Sequence, residues 1–133
     1  MTLASFALPA AVTLMIAALL FACALRVGRM RMRHKIDAPA TTGHPDLEVA
    51  LRVQMNTLEN AVLVLPVLWV AAVYFGPRAA ALAGAVWVAA RIWYAVAYTT
   101  DPRTRGGGFV GGIIAWAALM LMACWGIWAA VAA

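Results

Sequence analysis

The chain has 133 residues, 66% of them hydrophobic and only 11% charged, with a net charge of +5. A mean hydropathy of +0.90 excludes an ordinary soluble domain and makes lipid the expected solvent for a single domain over residues 1–133. On so apolar a chain the basic excess reads as membrane topology, and no nucleic-acid partner is expected.

Leu3 to Leu25 is a run of 23 residues without a charge. At about 1.5 Å per residue it reaches about 34 Å, enough to cross a hydrocarbon core of about 30 Å. No basic residue precedes it, and its length exceeds the apolar part of a signal peptide, so it is expected to be retained as a first span, residues 3–26. The segment "GRMRMRHKIDAPATTGHP" follows as the one sizeable soluble stretch. His34 and His44 lie there without ligand spacing, and no metal is expected.

The next apolar block, Ala61 to Phe75, has only 15 residues, so its helix must begin earlier. His44-Pro45-Asp46 is a suitable start, because proline fits the first turn and an acid complements the positive helix end. The second span is therefore 46–75, closed by Gly76-Pro77; a third, 79–99, is closed by Asp101-Pro102, and "RGGG" opens a fourth, 108–131. The fold class is all-α, an integral membrane four-helix bundle. Gly107 with Gly111 and Gly108 with Gly112 form small-xxx-small pairs suited to close helix packing. Cys23 and Cys124 sit in different spans without CxxC spacing, which argues against a thiol-oxidising enzyme and assigns them to packing.

Arg26, Arg29, Arg31, Arg33 and Lys35 fall between the first two spans and Arg103 and Arg105 between the last two. The turn between spans two and three has only Arg78, and the tails have no basic residue. Positive-inside bias places both chain ends on the non-cytoplasmic side.

Charged and amide residues precede the second apolar block in "RVQMNTLEN". On a helix advancing about 100° per residue, Glu48, Arg52, Asn56 and Glu59 fall at about 0°, 40°, 80° and 20°, on one face. Pro66 returns to about 0°, where a proline kink would widen a cavity. Arg91, Tyr94 and Tyr98 lie within about 60° of each other on the third span. Both stripes fall in the cytoplasmic half, bordered by Arg105 and the first-loop arginines. Arg31, Arg52, Arg91 and Arg105 face only Glu59, with Glu48 nearer the surface, so the inventory calls for an anion. Guanidinium forks bind carboxylates, Asn56, Gln54 and the tyrosines offer neutral hydrogen bonds, and Glu59 accepts from an amine. A small peptide with carboxylates and an amine fits this inventory. The competing structural readings are a closed charge network for Arg52 and Glu59 and interfacial anchoring for the tyrosines.

The stretch from "PATTGHPDLEVALRVQMNTLENAVLVLPVLWVAAVYFGP" through "RIWYAVAYTTDPRTR" closely resembles the MAPEG family, the membrane-associated proteins of eicosanoid and glutathione metabolism. The resemblance covers Arg26 to about Phe109 and rests on R-x-Q-x-N-x-x-E, then R-x-x-Y-x-x-x-Y and a downstream arginine. It is nearest in spacing to the cysteinyl-leukotriene synthase and microsomal glutathione S-transferase branch. It implies a homotrimer that holds glutathione as co-substrate at subunit interfaces near the cytoplasmic face. Residue by residue, it implies glutathione binding by Arg52, Gln54, Asn56, Glu59, Tyr94 and Tyr98. Arg105 would activate the thiolate, with Arg31 as a second cation, against a lipophilic electrophile drawn from the membrane lipid. Transferase chemistry is the expectation, with peroxidase activity as an addition.

Asn60 stands where the leukotriene branch has tyrosine, Tyr94 where the prostaglandin E synthase branch has histidine, and Phe109 near a tyrosine of both. These departures leave eicosanoid synthesis unsupported. The alternatives are a non-catalytic lipid-binding relative, a purely structural membrane protein, and a small proton-coupled exporter, which lacks its first-helix carboxylate here. The alanine, arginine and tryptophan bias favours a bacterial inner membrane over the endoplasmic reticulum.

Overall fold

A computed structural model describes residues 3–133 as helices and short connections. After a 3-10 turn at Leu3–Phe6 come α1 (Ala7–His34), α2 (Pro45–Tyr74), α3 (Pro77–Thr100), a 3-10 turn at Pro102–Thr104, and α4 (Gly106–Ala132). All four α-helices are long and apolar enough to cross a membrane.

α1 runs two turns beyond its apolar stretch, because Arg26–Arg33 contains good helix formers and its cations suit the negative helix end. Lys35 closes it in the left-handed region at φ 53°, its N–H bonded to Arg31 O. The connection to α2 therefore shrinks to residues 35–44, and His34 belongs to the helix rather than to a loop. At the start of α2, His44 caps the helix by accepting from Asp46 N–H at 3.2 Å, Pro45 occupies the first turn, and Asp46 and Glu48 supply the acids. α2 continues through Pro66, which is exposed and lines none of the three cavities described below. The α2–α3 connection turns on Gly76 at φ 156°, whose N–H reaches Ala71 O at 3.0 Å, and Pro77 begins the next helix.

α2 and α3 form the centre, each packed against all the other helices, with α1 and α4 flanking them. Small residues on the inner face of α3 (Ala80, Ala81, Ala83, Gly84, Ala90) let its neighbours approach. The main core joins Val12, Ile16, Val64, Leu68, Trp87 and Leu119, all nearly inaccessible. A second cluster, Cys23 with Val53 and Tyr94, lies nearer the connection at residues 35–44. Cys23 thus packs, whereas Cys124 is exposed on this chain and has no packing role within it. The outer surface stays apolar, with Leu14, Phe21, Leu82, Leu121, Trp125 and Trp128 facing outward, as suits lipid.

The glycines of α4 are not equivalent. A Cβ on Gly108 would collide with the backbone N of Tyr94, so α3 and α4 meet main chain to main chain there. At Gly112 the same addition meets only Arg91 Cδ at 3.5 Å and Trp87 Nε1 at 3.9 Å. The close approach at Gly108 fixes the height of Tyr94 against the start of α4.

Candidate functional site: a donor-rich cleft in one half of the bundle

α2 delivers Arg52 and Asn56, α3 delivers Tyr94 and Tyr98, the α3–α4 connection delivers Arg105, and the first turn of α4 delivers Gly106 and Phe109 to one open cleft of about 420 Å³. That volume lies in the range of small-molecule sites. Arg105 donates through Nη1 to Tyr98 Oη at 2.9 Å, and its guanidinium carbon lies 4.8 Å from the centre of that ring. One of its five N–H groups is thereby used, and Tyr98 keeps its own hydroxyl proton to donate. Tyr94 and Tyr98 meet edge to face with centroids 5.6 Å apart. Arg105 also caps α4 without a side-chain bond, leaving the positive end of that helix turned toward Gly106 in the wall.

Arg91, expected in the cleft, lies behind it. It is 1% exposed, and its Nη2 donates to Asn56 Oδ1 at 2.9 Å and to Thr57 Oγ1 at 3.0 Å. Its guanidinium carbon sits 4.0 Å from the centre of the Tyr94 ring. Arg91 Nε and Nη1 are buried without partners. Thr57 carried no sequence signal, because it lies about 100° around α2 from Asn56, off the polar stripe and toward α3.

Three of the expected site residues are outside this cleft. Glu59 is exposed on α2 and Gln54 is half-buried there, and neither is in the lining. Arg31 donates through Nη1 to Asp37 O at 3.2 Å and Ala40 O at 2.8 Å, bracing the α1–α2 connection. Among the described residues the ion pairs all involve Asp46, so Arg52, Glu59, Arg91 and Arg105 form no closed charge network within this chain.

An apolar cavity of about 410 Å³ adjoins the cleft and shares Asn56 and Phe109 with it. Leu63, Trp87, Ile113, Trp116 and Asn60 complete its lining. The Asn60 amide donates one N–H to Asn56 O at 2.8 Å, which leaves its second N–H and its oxygen. A wider opening of about 540 Å³ at the opposite end, between the start of α1 and Gly76–Ala79, has one charged residue, Arg78, in its lining and no set of converging donors. It is larger but chemically poorer, and the donor-rich cleft is the better candidate.

His34, His44 and Asp46 are brought together although their spacing is not that of a ligand motif. The imidazoles stack with centroids 3.5 Å apart, His34 Nε2 is 3.2 Å from Asp46 Oδ2, and the three ligand-type atoms lie within 4.8 Å of each other. Parallel rings do not turn in-plane lone pairs onto one ion, and His44 Nδ1 already accepts from Asp46 N–H. As arranged, the trio is a clasp joining the end of α1 to the start of α2.

The fold and the cleft define the class: an integral membrane protein whose four helices carry a donor-rich cleft beside an apolar cavity. The chain belongs to the MAPEG family, whose model matches residues 9–125. It is similar to an uncharacterized protein of Synechocystis, at 43% identity over 104 residues, 78% of this chain and 76% of that one. It is 41% identical to leukotriene C4 synthase of Cavia porcellus over 99 residues, 74% of this chain and 66% of the synthase. It is 34% identical to microsomal glutathione S-transferase 2 of Homo sapiens over 104 residues, 78% of this chain and 71% of the transferase.

Proposed function

We propose that this chain is a glutathione S-transferase of the membrane, joining the thiolate of glutathione to a lipophilic electrophile that enters from the bilayer. The observation that carries the reading is the convergence of Arg52, Asn56, Tyr94, Tyr98 and Arg105 on one cleft that opens beside an apolar cavity. The names of the leukotriene C4 synthase and microsomal glutathione S-transferase relatives support it.

In this reading the polar cleft takes glutathione and the apolar cavity takes the electrophile. A free thiol has a pKa of about 8.5, and a neighbouring cation favours its ionised form. Each unit of lowering corresponds to about 1.4 kcal/mol of preference for the thiolate. The free N–H groups of Arg105 and the positive end of α4 supply that preference. The thiol proton passes to water, the sulfur forms a bond to the electrophilic carbon, and the leaving group departs with its electron pair. With a lipid hydroperoxide as acceptor, two glutathione molecules would reduce it to alcohol and water and leave as the disulfide, which is peroxidase activity.

Arg52 and Glu59 are exposed on a membrane-crossing helix. A charge facing lipid costs about 2.5–3.5 kcal/mol or more, so a homotrimer that covers this face completes the reading. Arg31, Gln54 and Glu59 then meet glutathione bound between neighbouring copies, Glu59 at its amine and Arg31 as the second cation. The site faces the cytoplasm of a bacterial inner membrane, with both chain ends on the other side.

A non-catalytic lipid-binding role is the second reading, favoured by the apolar cavity alone. Purified protein is assayed for conjugation of an aryl halide to glutathione, with Arg105→Ala and Arg52→Ala alongside. The expected result is lower turnover for Arg105→Ala and a higher KM for glutathione in Arg52→Ala. Glutathione binding without conjugation of any electrophile in a broad panel would favour the second reading, and equal activity in all three proteins would overturn the site assignment.

A further inference from the structure

We propose that Arg91 is a positioning residue that fixes the polarity of the cleft wall by locking the side-chain amide of Asn56. The inference rests on the reading of the cleft as the glutathione site and names what that wall recognises. Among the described residues, Asn56 alone lines both cavities and also bonds to the buried arginine.

A guanidinium donates and never accepts. With Arg91 Nη2 at 2.9 Å, the amide oxygen of Asn56 must face inward. The reversed amide would set N–H groups against N–H groups beside a guanidinium that is 1% exposed, leaving buried donors unmatched. The amide nitrogen therefore turns away from Arg91, and the Asn56 side chain presents its N–H groups to the cleft. Thr57 Oγ1, bound to the same Nη2 at 3.0 Å, and the Tyr94 ring against the guanidinium hold Arg91 in turn. Its burial is uncompensated by any carboxylate among the described residues, a costly arrangement for packing alone.

The consequence is a wall that combines Arg52, Arg105 and the Asn56 N–H groups and selects a hydrogen-bond acceptor. Asn56 faces a carboxylate or peptide carbonyl of glutathione, and the tripeptide's amine lies elsewhere. Aspartate at this position keeps the bond to Arg91, now as an ion pair, but has no donor to offer the ligand.

Glutathione binding to the detergent-solubilised full chain is measured by titration calorimetry for wild type, Arg91→Met, Asn56→Ala, the double variant, Asn56→Asp and Arg91→Lys. Loss of one buried hydrogen bond to the ligand corresponds to about a tenfold weaker Kd. Arg91→Met and Asn56→Ala are each expected to show that loss, and the double variant no more, because Arg91 acts through Asn56. Arg91→Lys, which keeps a cationic donor, recovers part of it, and Arg91→Met leaves the pH profile of conjugation unchanged. Asn56→Asp is expected to fold normally and bind as weakly as Asn56→Ala, and it carries the test alone where Arg91→Met fails to fold. Multiplicative losses in the double variant, or wild-type affinity in Asn56→Asp, overturn the inference while leaving the glutathione site intact. No binding by wild type overturns the function itself, and this inference with it.

Discussion

Replacing Gly108 with alanine adds one methyl group where α3 and α4 are closest. The new Cβ would overlap the backbone N of Tyr94, lie 2.7 Å from its Cα, and lie 2.9 Å from Ala90 O. All three are main-chain atoms, so no rotamer change relieves the overlap. Ordinary carbon contacts sit at about 3.5–4.0 Å, so the helices must part by about 0.8 Å or more. Overpacking of this kind costs about 1–3 kcal/mol. Alanine returns up to about 1 kcal/mol in helix propensity, which leaves a net loss of up to about 2 kcal/mol. Gly112→Ala makes the same substitution one turn later against contacts at 3.5 and 3.9 Å, so it is expected to match or exceed wild type. Thermal unfolding in detergent, with aryl halide conjugation in parallel, measures both. Equal midpoints for the two variants, or a Gly108→Ala midpoint at or above wild type, would refute the reasoning. Because Tyr94 and Phe109 both line the cleft, Gly108→Ala is also expected to lose activity before it loses structure.

On the proposed reaction, the conjugation rate of wild type is expected to rise with pH as the thiol of bound glutathione ionises. Arg105→Ala removes the cation that favours the thiolate, so its profile of kcat against pH is expected to shift upward, toward the free thiol value of about 8.5. An unshifted profile rules out thiolate activation by this residue. Tyr98→Phe removes the oxygen that accepts from Arg105 and keeps the ring, and turnover is expected to fall by about three- to tenfold with KM for glutathione less affected. Steady-state kinetics separates the two. His34→Ala opens the clasp to Asp46 without touching the cleft, so conjugation should persist while residues 35–44 become more sensitive to limited proteolysis.

The helices were legible because their signals are local. Proline at the start of α2 and α3, Gly76 between them, and long uncharged runs act through nearby backbone sterics and hydropathy. The helical end of α1 was not legible, because charge marks where an apolar run stops and not where the helix stops, and Arg26–Arg33 stays helical beyond that run. Helical phase grouped Arg52 with Asn56 and Tyr94 with Tyr98, and topology set both pairs and Arg105 in one half of the bundle, yet phase does not report depth. Arg91 shares the phase of Tyr94 but lies beneath it, because its partners Asn56 and Thr57 belong to another helix. The stacking of His34 on His44 was equally hidden, since it depends on how the ends of α1 and α2 are brought together.

Asn56 and Phe109 belong to two cavities at once, so the cleft and the apolar cavity share a wall with no spacer between them. On the proposed reaction, the conjugate inherits both sets of contacts on one molecule. Its two halves are tethered, and after one half lets go the other keeps it at high effective concentration beside the vacated cavity. The product is then held more tightly than either reactant, with departure rather than bond formation setting the pace for acceptors with long apolar chains. Lengthening the chain would improve capture and slow turnover together, giving the enzyme a preferred tail length fixed by escape.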